Sequence, residues 1–516
     1  MNLDFSRCRP VELADGTLSY VKDHVKIGVQ ELIKNPFLGI FDEMGGMKSA
    51  QVIIGSQFMY EADMINRVIV VAPASVRPVW FDPELGELSK HLFVDNNSLI
   101  SEFHARIGQW YWGKPVEPRL RWIITNYDFI RMRNRLAQIL AYCGPKTLLV
   151  LDESSAVKNW NTEQTKACLT MRRACGRVIL LNGTPIANTP MDMYSQGNIM
   201  SPTILGVKSY FHFRARYAIL GGFMQKQIIG YQNLEDLQNR FKPYVIRRLK
   251  RECLDLPEAL PPVTLTVTLT EKTWKIYKQM RDDMVAWLSD DSLAVAAQAA
   301  VKSMRLAQIT SGFVGGVEDA PTEDDDEKPQ RLSFIEEVGR EKLDFMLGWT
   351  DDRLTEDDKF KLVTWCRFIP ELKRYMREVQ RTFPKMLVGA YAGTPIFNKS
   401  QKEEREYAHR LLDPRTSPDN AITVGGTFGT GSLGHNFTAS HTMVNMSSDY
   451  AYWKSEQANA RIDRPGQLHT TSYFDVVAVG PAGQKTIDHT IVKARRGKEE
   501  IAKWTCAAWI KALTEE

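Results

Sequence analysis

The chain has little cysteine, little net charge and no long apolar run, and each shortage narrows what it can be. Its 516 residues include seven cysteines: Cys8, Cys143, Cys168, Cys175, Cys253, Cys366 and Cys506. They are scattered, odd in number and never spaced as a CxxC pair, so neither a zinc site nor a disulfide framework is indicated, and a reducing cytosol fits best. No apolar stretch is long enough to cross a bilayer, and the opening MNLDFSRCRP lacks the apolar segment of a secretory signal. A net charge of +4 permits a nucleic-acid partner but is poor support for one. No simple short-period repeat is visible.

What is present is an ordinary globular composition, 43% hydrophobic and 25% charged, on a chain with room for about two to four domains. The most organised stretch is LGIFDEMGGMKS, residues 38–49. An apolar run reads as a buried strand, breaks into an acidic, glycine-rich turn, and reaches Lys48-Ser49 where a helix opens. That order suits a phosphate cradle. Gly45 and Gly46 let backbone N–H groups close on phosphate, the helix N-terminus favours negative charge, Lys48 reaches the terminal phosphates and Ser49 can ligate a metal. Met47 stands where glycine usually precedes the lysine. Only glycine enters φ > 0 freely, so the loop geometry depends on whether Gly46 compensates.

Further apolar runs follow at 67–72 (RVIVVA), 121–125 (RWIIT), 147–151 (TLLVL) and 177–181 (RVILL), each ending in polar residues. Such runs, separated by helix-length stretches, predict a parallel sheet covered on both faces, with ligands at the strand ends. A second set, at 361–365, 386–389, 421–424, 442–445 and 472–477, predicts a second α/β half. The fold class expected is therefore α/β, two parallel-sheet domains in tandem with helical insertions. The expected boundaries are a polar segment 1–19, a first domain 20–256 with a helical protrusion at about 190–241, and a proline-rich linker 257–262. A helical insertion 263–358 carrying an acidic loop 318–327 comes next, then a second domain 359–480 and a helical C-terminal segment 481–516.

Asp152-Glu153 closes the 147–151 strand. Adjacent carboxylates there can divide the labour of nucleotide hydrolysis, Asp152 holding magnesium and Glu153 orienting the attacking water. The plainer reading is an acidic helix start capped by Ser154 or Ser155. Farther on, Gly431 lies in the glycine-rich GTGSLGHN run, and QANARIDRPGQ (457–467) places Arg461 and Arg464 three apart. On a helical start both would point the same way, either toward a phosphoryl group in transfer or into solvent as a basic face.

Taken in order, these segments resemble the Swi/Snf-type branch of superfamily-two helicases and translocases. KDHVKIGV (22–29) and DEMGGMKS (42–49) stand where that family has an LRPHQxxGV-like entry motif and DEMGLGKT. VVAPASVRPVW (70–80), ITNYDFI (124–130), LVLDESSAVKN (149–159), LLNGTPIANTPMDMYS (180–195) and VIRRLKRECLDLP (245–257) resemble its next motifs. GTGSLGHNFTASHTMV (429–444), QANARIDRPGQ and KTIDHTI (485–491) resemble those of its second half. The resemblance runs from about Tyr20 to Lys498 and is closest to compact viral or bacterial members.

It implies a DNA-dependent ATPase of two RecA-like halves, using ATP and Mg2+ to move on DNA, with duplex favoured and sequence largely unread; the alternatives are a strand-separating helicase and an ATP-binding, hydrolysis-poor adaptor. It further implies that Lys48, Ser49, Gly45, Gly46 and Met47 cradle phosphate, that Ser49 and Asp152 hold the metal, and that Glu153, Arg461 and Arg464 act in hydrolysis. His24 and Lys22 fall at the adenine-side motif, and Gly431 and Gln457 with the nucleotide-facing segments of the second half. Pro73, Ser75, Thr125, Asn126 and Thr184 fall where the family holds DNA or couples its halves. Val25, Ser155 and Asp463 depart from the usual Gln, His and His. Cytoplasmic placement, in bacterial or virus-infected host cytosol, no membrane partner and sufficiency as a monomer complete the expectation.

Overall fold

The computed structural model describes residues 3–12, 18–19, 21–74, 76–82, 86–93, 99–102, 120–183, 189–222, 227–289, 296–319, 331–431, 436–450 and 452–497. Two compact units divide the described chain, one built from residues up to 256 and the other from residues 257 onward.

The first unit is a seven-stranded sheet. Its strands in chain order are β1 (Phe37–Ile40), β2 (Arg67–Ala72), β3 (Leu99–Glu102), β4 (Arg121–Asn126), β5 (Thr147–Leu151), β6 (Arg177–Leu181) and β7 (Val245–Ile246). In space they run β7-β1-β6-β5-β2-β4-β3, and every neighbouring pair is parallel. The strands read as unbroken apolar runs because both faces are covered: every residue of β5 is buried, as are all but the first of β2 and β6. A parallel sheet places all its strand C-termini along one edge. The loops after β1, β2, β4, β5 and β6 therefore share that edge, and they are the segments singled out by motif. Helix α1 (Asp23–Lys34) enters before β1 and helix α2 (Lys48–Glu61) leaves after it. They pack closely because Gly28 has no side chain: a Cβ there would come within 1.8 Å of Gln51 Oε1.

The second unit is a six-stranded sheet. Its strands are β8 (Val263–Thr268), β9 (Lys361–Cys366), β10 (Leu387–Tyr391), β11 (Ile422–Thr427), β12 (Thr442–Asn445) and β13 (Ser472–Val479). Their order is β8-β13-β12-β9-β11-β10, again with every pair parallel. The expected architecture of two parallel α/β sheets is thus present.

Several details differ from expectation. The insertion predicted as helical from residue 263 opens with edge strand β8, because VTLTVT alternates with a period of two and is rich in β-branched residues. Helices do follow, at Glu271–Ser289 and Ala296–Thr310, but then comes a hairpin of Phe313–Asp319 with Arg331–Glu337 before helix Glu341–Glu356. The predicted acidic loop 318–327 therefore begins inside a strand, and its residues 320–327 lie outside the described set. The predicted helical protrusion at 190–241 also contains an antiparallel hairpin, Ala218–Gly221 with Gln227–Tyr231. The expected linker is partly fastened to the second unit, where the Leu260 N–H donates to the Thr471 carbonyl at 2.9 Å. Of the polar N-terminal segment, residues 11–12 and 18–19 form a short antiparallel pair. Helix 487–497 ends the described chain, and the rest of the expected C-terminal segment lies outside it. Among the described residues, no helix is long and apolar enough to cross a membrane.

Candidate active site

The site begins where β1 ends. Gly45 has φ 85° and Met47 has φ 54°, both in the left-handed region, and α2 starts at the next residue, Lys48. Gly46 does not compensate: Met47 takes the left-handed conformation itself. Its side chain leans on the cluster formed by Val25, Val29, Ala50 and Ile54, and that packing offsets part of the backbone strain, about 1–2 kcal/mol for an L-residue in this region. Gly46 instead supplies closeness: a Cβ there would lie 2.9 Å from the Glu43 carbonyl oxygen. The result is a tight loop turned onto the N-terminus of a 14-residue helix, the setting in which backbone N–H groups and the helix dipole favour an anion.

Lys48 folds back over this loop. Its Nζ donates to the carbonyl oxygens of Asp42 at 2.9 Å and Glu43 at 3.3 Å. Burial lowers its pKa from the ordinary lysine value, and the carboxylates of Glu153, Asp42 and Asp152 act in the opposite direction. That electrostatic reach joins the phosphate loop to the Asp152-Glu153 corner, which the adjacent strands β1, β6 and β5 carry to the same edge.

At that corner Asp152 is buried, with 9% of its surface exposed. Its Oδ2 accepts from Trp80 Nε1 at 2.8 Å and its Oδ1 from the Glu153 N–H at 3.0 Å. The Tyr127 hydroxyl donates to its carbonyl oxygen at 2.8 Å. Burial raises the Asp152 pKa, against the pull of the Trp80 hydrogen bond and the Lys48 charge. Glu153 has φ 49° and ψ 56°, a left-handed residue placed directly before the short 3-10 turn Ser154–Val157. Neither serine caps a helix from this corner. Ser154 is buried and donates to Gln196 Oε1 at 2.7 Å. A bulky residue held left-handed at a strand end is uncommon and here sets the second carboxylate apart from the first.

The donor set fits the groups that the motifs imply. A glycine cradle with no room for a Cβ, an ammonium satisfied by exchangeable carbonyls and a helix N-terminus suit a polyphosphate. A Ser49 hydroxyl in the first turn of α2 and the Asp152 carboxylate are hard oxygen donors of the kind Mg2+ takes. Among the described residues there is no group of three or more His, Cys, Asp or Glu side chains placed to hold a metal.

The loop is braced by side chains to which the motif reading assigned no role, Arg247, Arg248 and Gln51 among them. Arg248, just after β7, reaches both oxygens of Asp42 and Gln51 Oε1. Gln51 Nε2 in turn donates to Asp42 Oδ2 at 2.9 Å and the Gly46 carbonyl at 3.3 Å. Arg247 donates to the carbonyls of Phe41 and Gly183. His24 lies in this network. It is 6% exposed, its carbonyl accepts from Arg248, and burial, then the Arg248 charge, lowers its pKa. Lys22 is exposed at the start of α1 and caps it with its carbonyl alone.

The residues expected at the nucleic acid fare unevenly. Pro73 is half-buried, and its carbonyl accepts from the Val76 and Arg77 N–H groups at 2.9 and 3.0 Å. Thr125 is fully buried within β4, and Asn126 Oδ1 caps the next helix by accepting from the Phe129 N–H at 2.8 Å. Neither of those two side chains is presented at the surface. Ser75 and Thr184 lie outside the described residues.

In the second unit Gln457 is buried on the helix Tyr452–Asn459. That helix ends before the arginines, so Arg461 and Arg464 lie in the turns that follow and not on the expected helical start. The turn is fixed by backbone: the Arg461 carbonyl accepts from Phe437 N–H at 3.0 Å, and Arg464 Nε donates to the Ala460 carbonyl at 2.7 Å. Both charges lie within electrostatic reach of one group: each, with Arg405, opposes the burial that raises the Tyr391 hydroxyl pKa at the end of β10. Gly431 ends the short helix Phe428–Gly431, and 432–435 lie outside the described residues.

The family model of the SNF2-related domain matches residues 32–312. An uncharacterized ATP-dependent helicase of Mycoplasma genitalium is 23% identical over 96% of this chain and 43% of its own length. The human lymphoid-specific helicase is 23% identical over 96% of this chain and 64% of its own. A structure of the Sulfolobus solfataricus SWI2/SNF2 ATPase core in complex with dsDNA aligns with a TM-score of 0.39 and 20% identity, covering 99% of this chain and 98% of that one. The chain spans under half the length of the Mycoplasma relative.

Proposed function

The chain belongs to the SNF2-related family, and on that footing we propose that it is a DNA-dependent ATPase that couples ATP hydrolysis to movement along duplex DNA. The observation that carries the reading is the convergence on Lys48 of the phosphate loop and the Asp152-Glu153 corner. Lys48 would exchange the carbonyls of Asp42 and Glu43 for terminal phosphate oxygens, and the loop N–H groups would take the remainder. Ser49 and Asp152 would hold Mg2+, which when bound supplies positive charge to the phosphates. Glu153, set apart by its left-handed backbone, would orient and accept a proton from the attacking water. Contact with DNA would be mainly with phosphates, hence salt-sensitive and largely indifferent to sequence. Strand ends offering N–H groups would serve this better than Thr125, whose hydroxyl is buried within β4, or Asn126, whose side chain caps the next helix.

One observation favours a second reading, a nucleotide-binding adaptor that hydrolyses poorly: the left-handed Met47 stiffens the loop that must receive phosphate. Steady-state ATP hydrolysis with no nucleic acid, single-stranded DNA, duplex DNA and RNA separates the two. Strong stimulation by duplex DNA, lost in Glu153→Gln, is the expected result. No hydrolysis with any polymer, together with recovery in Met47→Gly, would replace the motor by the adaptor, and stimulation by single strands alone would indicate a strand-separating helicase.

A further inference from the structure

We propose that Trp80 is a positioning residue for the magnesium site: its indole N–H holds the Asp152 carboxylate in the orientation that presents it to the metal. The inference rests on the ATPase reading and extends it to a residue outside the phosphate loop and the acidic corner. Trp80 lies near the end of the short helix Arg77–Phe81, which follows β2, and is 1% exposed. That helix is launched by the Pro73 carbonyl, which accepts from the Val76 and Arg77 N–H groups. β2 lies beside β5, and the Asp152 N–H donates to the Val71 carbonyl at 2.9 Å. The loop after β2 therefore delivers the indole directly to the carboxylate at the end of β5.

A buried tryptophan usually finds some acceptor for its N–H, so a hydrogen bond alone would be unremarkable. Its partner is what matters. Most side-chain hydrogen bonds go to backbone or water, whereas this one ends on the buried side chain that the motif assigns to the metal. The two carboxylate oxygens are held separately, Oδ2 by Trp80 at 2.8 Å and Oδ1 by the Glu153 N–H at 3.0 Å. Turning the carboxylate would break both bonds at once. A carboxylate has about four lone-pair directions, and two donors leave the others for a metal or its water shell. Indole N–H is a donor only, so it supports the carboxylate as an acceptor. Such outer partners commonly control metal affinity without touching the metal.

The test uses the full chain and the substitution Trp80→Phe, which keeps a ring and removes the N–H. Binding of a fluorescent ADP analogue is titrated against Mg2+ and repeated in EDTA, alongside steady-state hydrolysis. The expected result is unchanged binding in EDTA, a rise of about ten- to a hundredfold in the Mg2+ needed for half-maximal tightening, and a fall in kcat larger than any change in KM. An unchanged Mg2+ dependence would overturn the proposal while leaving the ATPase reading intact. If wild-type protein shows neither Mg2+-dependent nucleotide binding nor hydrolysis, both fall together. Should Trp80→Phe fail to fold, benzothienylalanine at position 80 preserves the bicyclic shape and removes only the donor, and the same titration decides.

Discussion

Asp42 and Arg248 stand 206 positions apart and form a forked ion pair: Nη2 lies 2.6 Å from Oδ2 and Nε 3.0 Å from Oδ1. Asp42 is 1% exposed, so its charge depends on this partner and on Gln51. The same segment runs alongside the phosphate loop by backbone, with Glu43 N–H donating to the Arg248 carbonyl at 3.0 Å and Lys250 N–H to Glu43 Oε2 at 2.9 Å. The last stretch of the first unit is therefore built into the wall of its nucleotide loop. Removing the guanidinium by Arg248→Met should lower stability by about 3–5 kcal/mol, the usual consequence of stranding a buried charge. Arg248→Lys should fall between, because an ammonium cannot make the fork. Urea unfolding followed by a probe in the first unit checks both. Recovery of much of the loss in Asp42→Asn/Arg248→Met would assign it to the stranded carboxylate.

Met47 sets two effects against each other. Glycine would relieve the left-handed strain, about 1–2 kcal/mol, but would lose the packing against the apolar cluster that includes Val25 and Val29 and add about 0.5–1 kcal/mol of unfolded-chain entropy. The net change for Met47→Gly should therefore stay within about 1 kcal/mol of zero. Met47→Val should be clearly worse, because a β-branched residue is a true outlier at positive φ. Thermal unfolding of the three proteins ranks them, and Val matching Met would mean that the loop is not left-handed at this position in solution.

The strands β2, β5 and β6 were legible to the residue because they are apolar on both faces and bounded by polar ends. β3 and β7 were not: each is an edge strand of four residues or fewer, and its pairing depends on a partner far away in sequence. β8 was hidden because VTLTVT adjoins a long helical stretch. The site divides the same way. Lys48, Ser49, Asp152 and Glu153 follow a strand at short fixed spacing, so their chemistry is local and readable. Arg248 and Trp80 acquire their roles only from the order of strands in the sheet. Arg461 and Arg464 were legible as a pair but not as a turn, since the helix that precedes them stops at Asn459 without glycine or proline to mark it.

A buried carboxylate in the second unit predicts a pH dependence. Glu371 is 2% exposed, and burial pushes its pKa from the ordinary 4.5 up to about 7, against the pull of Lys342 and the Ser447 hydroxyl. Lys342 is itself shared, pairing with Asp488 at 2.7 Å and donating to the Met446 carbonyl at 3.1 Å. Below pH 4.5 Glu371 is protonated in both folded and unfolded chains, and its neutral form is accommodated. As pH rises the unfolded chain ionises first, so stability falls until pH passes about 7. The integrated loss is on the order of 3 kcal/mol. Glu371→Gln should flatten unfolding free energy across that window and raise it at pH 8. An unchanged slope in the variant would show that Glu371 does not set the pH dependence.

Asn126 offers the sharpest separation between a structural and a nucleic-acid role. Its side chain accepts from the Phe129 N–H as the cap of helix Tyr127–Ile130, a task in which aspartate serves as well as asparagine and alanine costs about 1 kcal/mol. A phosphate contact has the opposite preference, because aspartate would repel the backbone it touches. The cap geometry predicts that Asn126→Asp keeps both thermal stability and duplex-stimulated hydrolysis, whereas Asn126→Ala lowers stability first. If aspartate instead abolishes stimulation by duplex DNA while leaving the melting temperature alone, Asn126 faces the nucleic acid during turnover. The β4 end would then have to open to release its cap, and weaker hydrogen-exchange protection of the Phe129 amide on DNA binding would register that opening.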